Sequence, residues 1–138
     1  MSKDPRQYIS HFQSLDKMGS LIGHRIISIS DTECLSEYQA TENHYNPGGI
    51  LHGGALFAAM DSSQGALVHY ALDEKFKYAV TGTATVKYLA PVKTEKVLIK
   101  SWFHSIQDRK LFVYSVASTP NGIEVAKLEE IWIAAIKN

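Results

Sequence analysis

Apolar residues near the start of the chain recur at the spacing of a helix. Between residues 5 and 18 they occupy Tyr8, Ile9, Phe12 and Leu15, and Gly19 follows. Apolar residues three or four positions apart line one helix face, and glycine commonly ends a helix. The pattern predicts a short amphipathic helix over about residues 5–18.

The rest of the chain combines one long helical stretch with several strand-like stretches. Residues 26–30 and 33–40 show partial period-two alternation around Asp31-Thr32, which predicts a hairpin. Residues 52–72 have the length and the alanine, leucine and methionine content of a long helix. Four runs rich in β-branched and aromatic residues follow, at 78–89, 97–105, 111–118 and 123–136. We therefore expect a single α+β domain over residues 1–138, in which an antiparallel β-sheet wraps one long central helix.

A glycine-rich segment lies immediately before the predicted long helix. It reads Asn46-Pro-Gly-Gly-Ile-Leu-His52-Gly53-Gly54. Glycine lets the backbone approach a ligand closely, and the first N–H groups of a helix have no intrahelical partner. These N–H groups are suited to bind an oxygen atom at the N-terminal end of the helix. Asn46 and His52 also have ordinary structural uses, in an Asx-turn and at a helix N-terminus.

Asp61 is an acid on a mainly apolar face of the predicted long helix. At helical spacing it shares a stripe with Gly54, Phe57, Gly65 and Val68. A carboxylate in such a place needs a reason, because burying a charge is costly. The residues alone leave two interpretations open. Asp61 is either a functional acid, or a residue at an exposed edge that only bonds to a neighbouring side chain or strand.

Composition and charge narrow the class of partner. The chain has 138 residues, 45% of them hydrophobic, and its 14 basic and 14 acidic residues cancel. Without a dense basic run we expect small metabolites rather than nucleic acid as partners. The first residues lack the apolar core of a signal peptide, and no stretch of about 18 apolar residues could span a bilayer. A cytoplasmic protein without membrane association is expected.

Cysteine and histidine usage predicts no metal site. Cys34 is the only cysteine, which excludes an intramolecular disulfide, and we expect it to be half-buried in a strand. The histidines outside the glycine-rich segment form neither an H-x-x-x-H pair nor a pattern with nearby carboxylates.

Several spacings together resemble a known family. Asn46 lies six residues before His52, the His52-Gly53-Gly54 triplet opens the helix, and Asp61 lies nine residues after His52. The later segment V-T-G-T-A-T-V-K-Y-L-A-P-V ends at Val92. Over nearly its whole length the chain resembles the hotdog-fold acyl-CoA thioesterases of the phenylacetate-pathway type, within the 4-hydroxybenzoyl-CoA thioesterase superfamily.

The resemblance implies a catalytic role for each matched residue. The Gly53 N–H would bind the thioester carbonyl as an oxyanion hole, and Asn46 and His52 would shape and orient that pocket. Asp61 would act either as a nucleophile that forms a mixed anhydride or as a general base on water. Thr81 would position the water or the acid, although a T-x-T-x-T alternation more often marks a solvated sheet face. Thr83 is the alternative if the alignment slips by one side-chain repeat.

The resemblance also implies an assembly and a substrate. Each site would lie across a homodimer interface, with Asn46, His52 and Gly53 of one subunit facing Asp61 and Thr81 of the other. A homotetramer built as a dimer of dimers is expected. The substrate would be an aryl- or fatty-acyl-CoA, and hydrolysis would need no metal and no redox cofactor.

Substrate contacts follow from the same expectation. The acyl pocket would be lined from the helix and the facing strands, where Phe57, Met60, Gln64 and Tyr88 are available, and Gly54 is a further expected substrate contact. Gln64 would contact either the acyl group or Asp61. Candidates for the coenzyme A phosphates are the basic residues Lys87, Lys93, Arg109 and Lys110, each of which also fits a solvated strand end or turn.

Two other functions are compatible with a hotdog domain, because a fold does not fix an activity. One is a non-catalytic acyl-CoA sensor, which would not require Asp61. The other is a dehydratase, in which a histidine and an acid of different local pattern move protons on the acyl chain. Thiol release, formation of an enoyl conjugate and binding without turnover distinguish the three.

Overall fold

The elements of the fold follow the predicted order. In a computed structural model, which describes residues 3–93 and 96–137, three α-helices, one 3₁₀ turn and six strands are found. The helices are α1 (Pro5–Leu15), α2 (Lys17–Ile22) and α3 (Gly53–Ala71), and the 3₁₀ turn is Glu42–His44. The strands are β1 (His24–Ile29), β2 (Glu33–Gln39), β3 (Phe76–Tyr88), β4 (Lys96–Gln107), β5 (Lys110–Ser118) and β6 (Glu124–Ile136).

The six strands form one antiparallel sheet that wraps α3. Their order is β1-β2-β4-β5-β6-β3. Residues 63–68 of α3 are all buried, because both apolar core clusters pack against the helix. The predicted α+β hotdog architecture is confirmed. No helix among the described residues is long and apolar enough to cross a membrane.

The predicted N-terminal helix is two helices rather than one. Asp16 separates them: its N–H donates to the Phe12 carbonyl at the end of α1, and its side chain accepts from the Gly19 N–H at 3.0 Å as the N-cap of α2. Aspartate is a preferred N-cap, so it restarts the helix. Gly19 therefore lies inside α2, and the glycine that ends this region is Gly23, at φ 94°.

β3 is an edge strand with an irregular register. It pairs with β6, and between Thr81 and Thr83 the pairing shifts, so that Thr81 lies opposite Trp132 and Thr83 opposite Ile131. A Cβ on the intervening Gly82 would lie only 2.8 Å from Ile133 Cγ1. Since an extra residue in one strand reverses the following side chains, Thr81 faces the helix and Thr83 faces away.

Candidate active site

The N-terminus of α3 presents a backbone donor. His52 is the N-cap, and its Nδ1 accepts a hydrogen bond from the Gly54 N–H at 2.9 Å. His52 is exposed, and with Nδ1 as acceptor its neutral ring carries the proton on Nε2. The Gly53 N–H donates to no acceptor among the described residues. It is therefore free to bind an oxygen atom.

Asn46 shapes the loop that precedes this helix. Its Oδ1 accepts from the Gly48 N–H at 2.9 Å, and its own N–H donates to the Ile50 carbonyl at 2.8 Å. This is the Asx-turn use of asparagine that the sequence left open. Asn46 also lines a cleft of about 440 Å³ shared with Gly53 and residues 88–92.

Tyr88 closes one side of this cleft. Its hydroxyl donates to the Gly53 carbonyl at 2.7 Å. A Cβ on Gly53 would lie 2.9 Å from Tyr88 Cζ, so only glycine fits here without movement of the ring. The end of β3 and the start of α3 are thereby held together.

Asp61 contacts Thr81, the threonine that the resemblance indicated. Thr81 Oγ1 donates to Asp61 Oδ1 at 2.9 Å, and both residues are half-buried. The alternative, Thr83, faces the other side of the sheet because of the bulge at Gly82. The helix and the edge strand thus hold an acid and a hydroxyl together.

A second acid, Glu130, lies beside Asp61, and it was not predicted from the sequence. Glu130 is 1% exposed on the helix-facing side of β6, and its pKa is raised to about 9, first by burial and then by the Asp61 side chain. Neither carboxyl oxygen makes a hydrogen bond of standard geometry within residues 3–93 and 96–137. The period-two alternation of β6 was the available signal, because it places Glu130 in the apolar series Ala126, Leu128, Trp132 and Ala134.

The two groups of expected catalytic residues do not meet within one chain. Gly53 and Asp61 are eight residues apart on α3, which separates them by about 12 Å along the helix axis at 1.5 Å per residue. One thioester carbonyl cannot contact both. The expected catalytic residues therefore fall into two groups within the chain, one at Gly53 and one at Asp61, which we call half-sites.

Gln64 belongs to a buried polar network rather than to the cleft. It is fully buried, its Nε2 donates to Ser115 Oγ at 2.8 Å, and its Oε1 accepts from Trp132 Nε1 at 3.1 Å. Neither of the contacts expected for it, to an acyl group in the cleft or to Asp61, is present among its hydrogen bonds. Its polar ends are used inside the core.

The other expected substrate contacts are spread over the surface. Phe57 is half-buried against the core, Gly54 is exposed, and Lys87 is exposed next to Tyr88. Arg109 lies in the β4–β5 turn, where its Nε donates to the Ala134 carbonyl at 2.9 Å. Ala134 is eight residues along β6 from the partner of Tyr88, or about 26 Å. Arg109 is thus remote from this chain's own cleft.

Cys34 is more deeply buried than expected. It is fully buried rather than half-buried, and burial raises the pKa of its thiol to about 12. Among the described residues no group of three or more histidine, cysteine, aspartate or glutamate side chains is arranged to hold a metal ion.

Comparison with known proteins identifies the family. Residues 48–126 match the model of the thioesterase superfamily. Conserved protein PA5202 from Pseudomonas aeruginosa is 22% identical, with a TM-score of 0.81 over 94% of this chain and 98% of that one. PaaI of the Escherichia coli phenylacetic acid degradation operon is 16% identical, with a TM-score of 0.85 over 94% and 91%. A hypothetical thioesterase from Streptococcus pneumoniae, solved with coenzyme A, is 18% identical, with a TM-score of 0.80 over 94% and 98%.

No curated protein sequence matches the chain significantly. The family match includes the glycine-rich segment from Gly48 onward, Asp61 and Thr81, and it extends through most of the sheet. It covers more than half of the chain, and the resemblance read from the sequence is confirmed. The chain belongs to the thioesterase superfamily and is a thioester hydrolase.

Proposed function

We propose that this protein hydrolyses an acyl-CoA thioester to a free acid and coenzyme A, with Asp61 as its catalytic acid residue. The Thr81–Asp61 hydrogen bond of 2.9 Å carries this proposal, because it fixes a half-buried carboxylate beside the strand that the family match includes. Coenzyme A in the Streptococcus pneumoniae structure supports the choice of thioester.

The start of α3 supplies the electrophilic half of the reaction. In the proposal the free Gly53 N–H donates to the thioester oxygen and stabilises the negative charge that develops there. His52 and Asn46 orient this pocket, through the N-cap bond to Gly54 and through the Asx-turn. The helix dipole acts in the same direction.

Asp61 supplies the other half in one of two ways. As a general base it takes a proton from water while the water oxygen attacks the carbonyl, and the departing sulfur then receives a proton as the C–S bond breaks. As a nucleophile it forms a mixed anhydride and releases coenzyme A, after which water cleaves the anhydride. Both routes balance without a metal or a redox cofactor.

A homodimer would unite the half-sites. The edge strand β3 has backbone groups on its open side, and residues 82–85 are exposed. Antiparallel pairing of β3 with β3 of a second copy about a two-fold axis would place Asp61 and Thr81 of one subunit toward Asn46, His52 and Gly53 of the other. A dimer of two such dimers is the proposed tetramer.

Substrate contacts are assigned on the same basis. Tyr88 lines the cleft beside Gly53, and Gly54 and Phe57 lie near the start of α3; all three would contact the acyl group or the pantetheine arm. Lys87 is the basic residue next to Tyr88 and would contact a coenzyme A phosphate. Arg109 could serve only from a neighbouring subunit.

Thiol release tests the proposal directly. Wild type, Asp61→Ala and Asp61→Asn are compared on aryl-, short-, medium- and long-chain acyl-CoAs with a colorimetric thiol reagent. We expect turnover by the wild type and a loss of about a hundredfold or more in both variants, the scale of a lost base or nucleophile. Turnover that does not depend on Asp61 contradicts the assignment. Saturable binding without turnover would instead identify an acyl-CoA sensor.

A further inference from the structure

Glu130 is a buried acid without the donors that a buried carboxylate requires. The neighbouring indole N–H of Trp132 donates to Gln64 Oε1 at 3.1 Å, and its interaction with the Glu130 side chain lowers the Glu130 pKa less than burial and Asp61 raise it. No lysine, arginine or histidine acts on the Glu130 carboxyl among the described residues. An ionised carboxylate left in this state would be strongly destabilised. Burial and the lack of well-placed donors therefore favour the neutral form of the Glu130 carboxyl.

The elements packed around Glu130 offer it one charged acceptor. The residues opposite it are Ala84 on β3 and Val113 on β5, both apolar. Its helix-facing neighbours along β6 are Leu128 and Trp132. From α3, Asp61 is the titratable group that acts on it. Asp61 is hydrogen-bonded to Thr81, which lies opposite Trp132, the next helix-facing residue after Glu130 on β6. A protonated carboxyl has one O–H to donate, and Asp61 is the acceptor on this side of the sheet.

We propose that Glu130 is a positioning residue that works as a neutral carboxylic acid, donating a hydrogen bond to the Asp61 carboxylate and, together with Thr81, fixing its orientation. The inference rests on the proposed role of Asp61. Two donors from two strands then hold the acid from the sheet side, Thr81 on β3 and Glu130 on β6. The remaining lone pairs of Asp61 are directed to water or to the thioester.

Ionisation of Glu130 would remove this arrangement. Without its proton Glu130 has nothing to donate, and it places a second negative charge beside Asp61, where attack on the thioester already develops negative charge. Activity should therefore fall at alkaline pH as Glu130 loses its proton. The apparent pKa of this alkaline fall in activity, the alkaline limb of the pH profile, is a property of the Glu130–Asp61 pair rather than of Glu130 alone.

Two variants of similar size distinguish the effect of the hydrogen-bond donor at Glu130 from the effect of the side-chain volume. Glu130→Gln keeps a neutral donor that cannot ionise, and Glu130→Leu keeps apolar volume without a donor. We expect Glu130→Gln to retain kcat within about threefold at pH 7 and to lose the alkaline limb, since neutral donors still support a carboxylate. We expect Glu130→Leu to lose about tenfold or more in kcat with little change in KM, as for a lost hydrogen bond to a charged group.

The pH dependence of kcat is the decisive measurement, because replacing a purely structural residue would not shift the alkaline limb. A Glu130→Gln enzyme with the wild-type alkaline limb, or a Glu130→Leu enzyme with wild-type kcat, overturns the inference. If Glu130→Leu does not fold, the profile of Glu130→Gln still decides.

Infrared spectroscopy tests the protonation state of Glu130 without relying on an activity assay. At neutral pH the wild type should show the C=O band of a protonated carboxylic acid, and Glu130→Gln should lack it. Absence of that band in the wild type overturns the inference even if Asp61 is catalytic. Conversely, wild-type activity in Asp61→Asn overturns the proposed function and leaves the band unaffected, so the two failures are distinguishable.

Discussion

The two proposed half-sites on α3 would act through different parts of the chain. At the helix start the working group is a peptide N–H at Gly53, exposed by a glycine-rich loop and an N-cap bond of 2.9 Å. Two turns later the working groups are side chains, Asp61 and Thr81, held by the edge strand at 2.9 Å. The first half-site depends on backbone geometry and the second on strand register.

This difference determines which substitutions each half-site tolerates. A side chain at Gly53 requires the Tyr88 ring to move but leaves the N–H in place, whereas removal of a functional group from Asp61 or Thr81 removes their hydrogen bond directly. In the proposed dimer, the separation of about 12 Å along the helix requires a second subunit to complete each site.

Replacing Gly53 by proline should produce the largest effect, because it removes the N–H that is proposed to bind the thioester oxygen. Proline is well tolerated at the first helical position, and His52 already has the φ −64° and ψ 130° that a residue before proline prefers. Relative to Gly53→Ala, Gly53→Pro should lose about 100- to 1,000-fold in kcat, the value of one oxyanion-hole donor.

Gly53→Ala is the matched control, since its Cβ meets the same Tyr88 ring but its N–H remains. Circular dichroism checks that both variants keep their helices. Equal kcat in the two variants would show that the Gly53 N–H does not bind the reacting oxygen.

Mixing the two half-sites tests whether they act across subunits. Chains carrying Gly53→Pro and chains carrying Asp61→Asn are co-expressed with different tags, and hybrid dimers are isolated by two affinity steps. One of the two sites in each hybrid then has both native halves, so about half of the wild-type activity should return. Hybrids as inactive as the parents would mean that the sites are not shared.

Thr81→Val should give the smallest loss, about tenfold in kcat, because one hydrogen bond to a charged acid disappears. Thr83→Val provides the comparison: it lies two positions away on the same strand but faces the other side of the sheet. Steady-state kinetics of the two variants measures the contrast. Equal losses would contradict the side-chain reversal at Gly82.

Most of the fold was predictable because apolar periodicity and turn residues act locally. The long helix was expected over residues 52–72 and spans Gly53–Ala71, and the six strands lie within a few residues of their predicted ranges. The break at Asp16 was missed, because an N-cap in the middle of a continuous apolar stripe does not alter the periodicity.

The candidate site was predictable where its residues are close together in the sequence. It was not predictable where its residues are brought together by the register of the sheet. The glycine-rich segment and the spacing to Asp61 can be read along the chain. The choice between Thr81 and Thr83 depended on a bulge that no period-two pattern reveals. Glu130 was missed because its partner lies on another element, although its place among apolar residues of β6 marked it as unusual.

The burial of Glu130 also links the stability of the whole fold to pH. Its folded pKa of about 9 lies above the ordinary 4.5, so between these values the unfolded chain releases a proton that the fold retains. Below pH 4.5 Glu130 therefore does not reduce the free energy of unfolding. As the pH rises from 4.5 toward 9, the free energy of unfolding falls by about 1.4 kcal/mol per pH unit, which amounts to about 3 kcal/mol at pH 7. A site that keeps a neutral acid in its interior makes alkaline solution a denaturing stress.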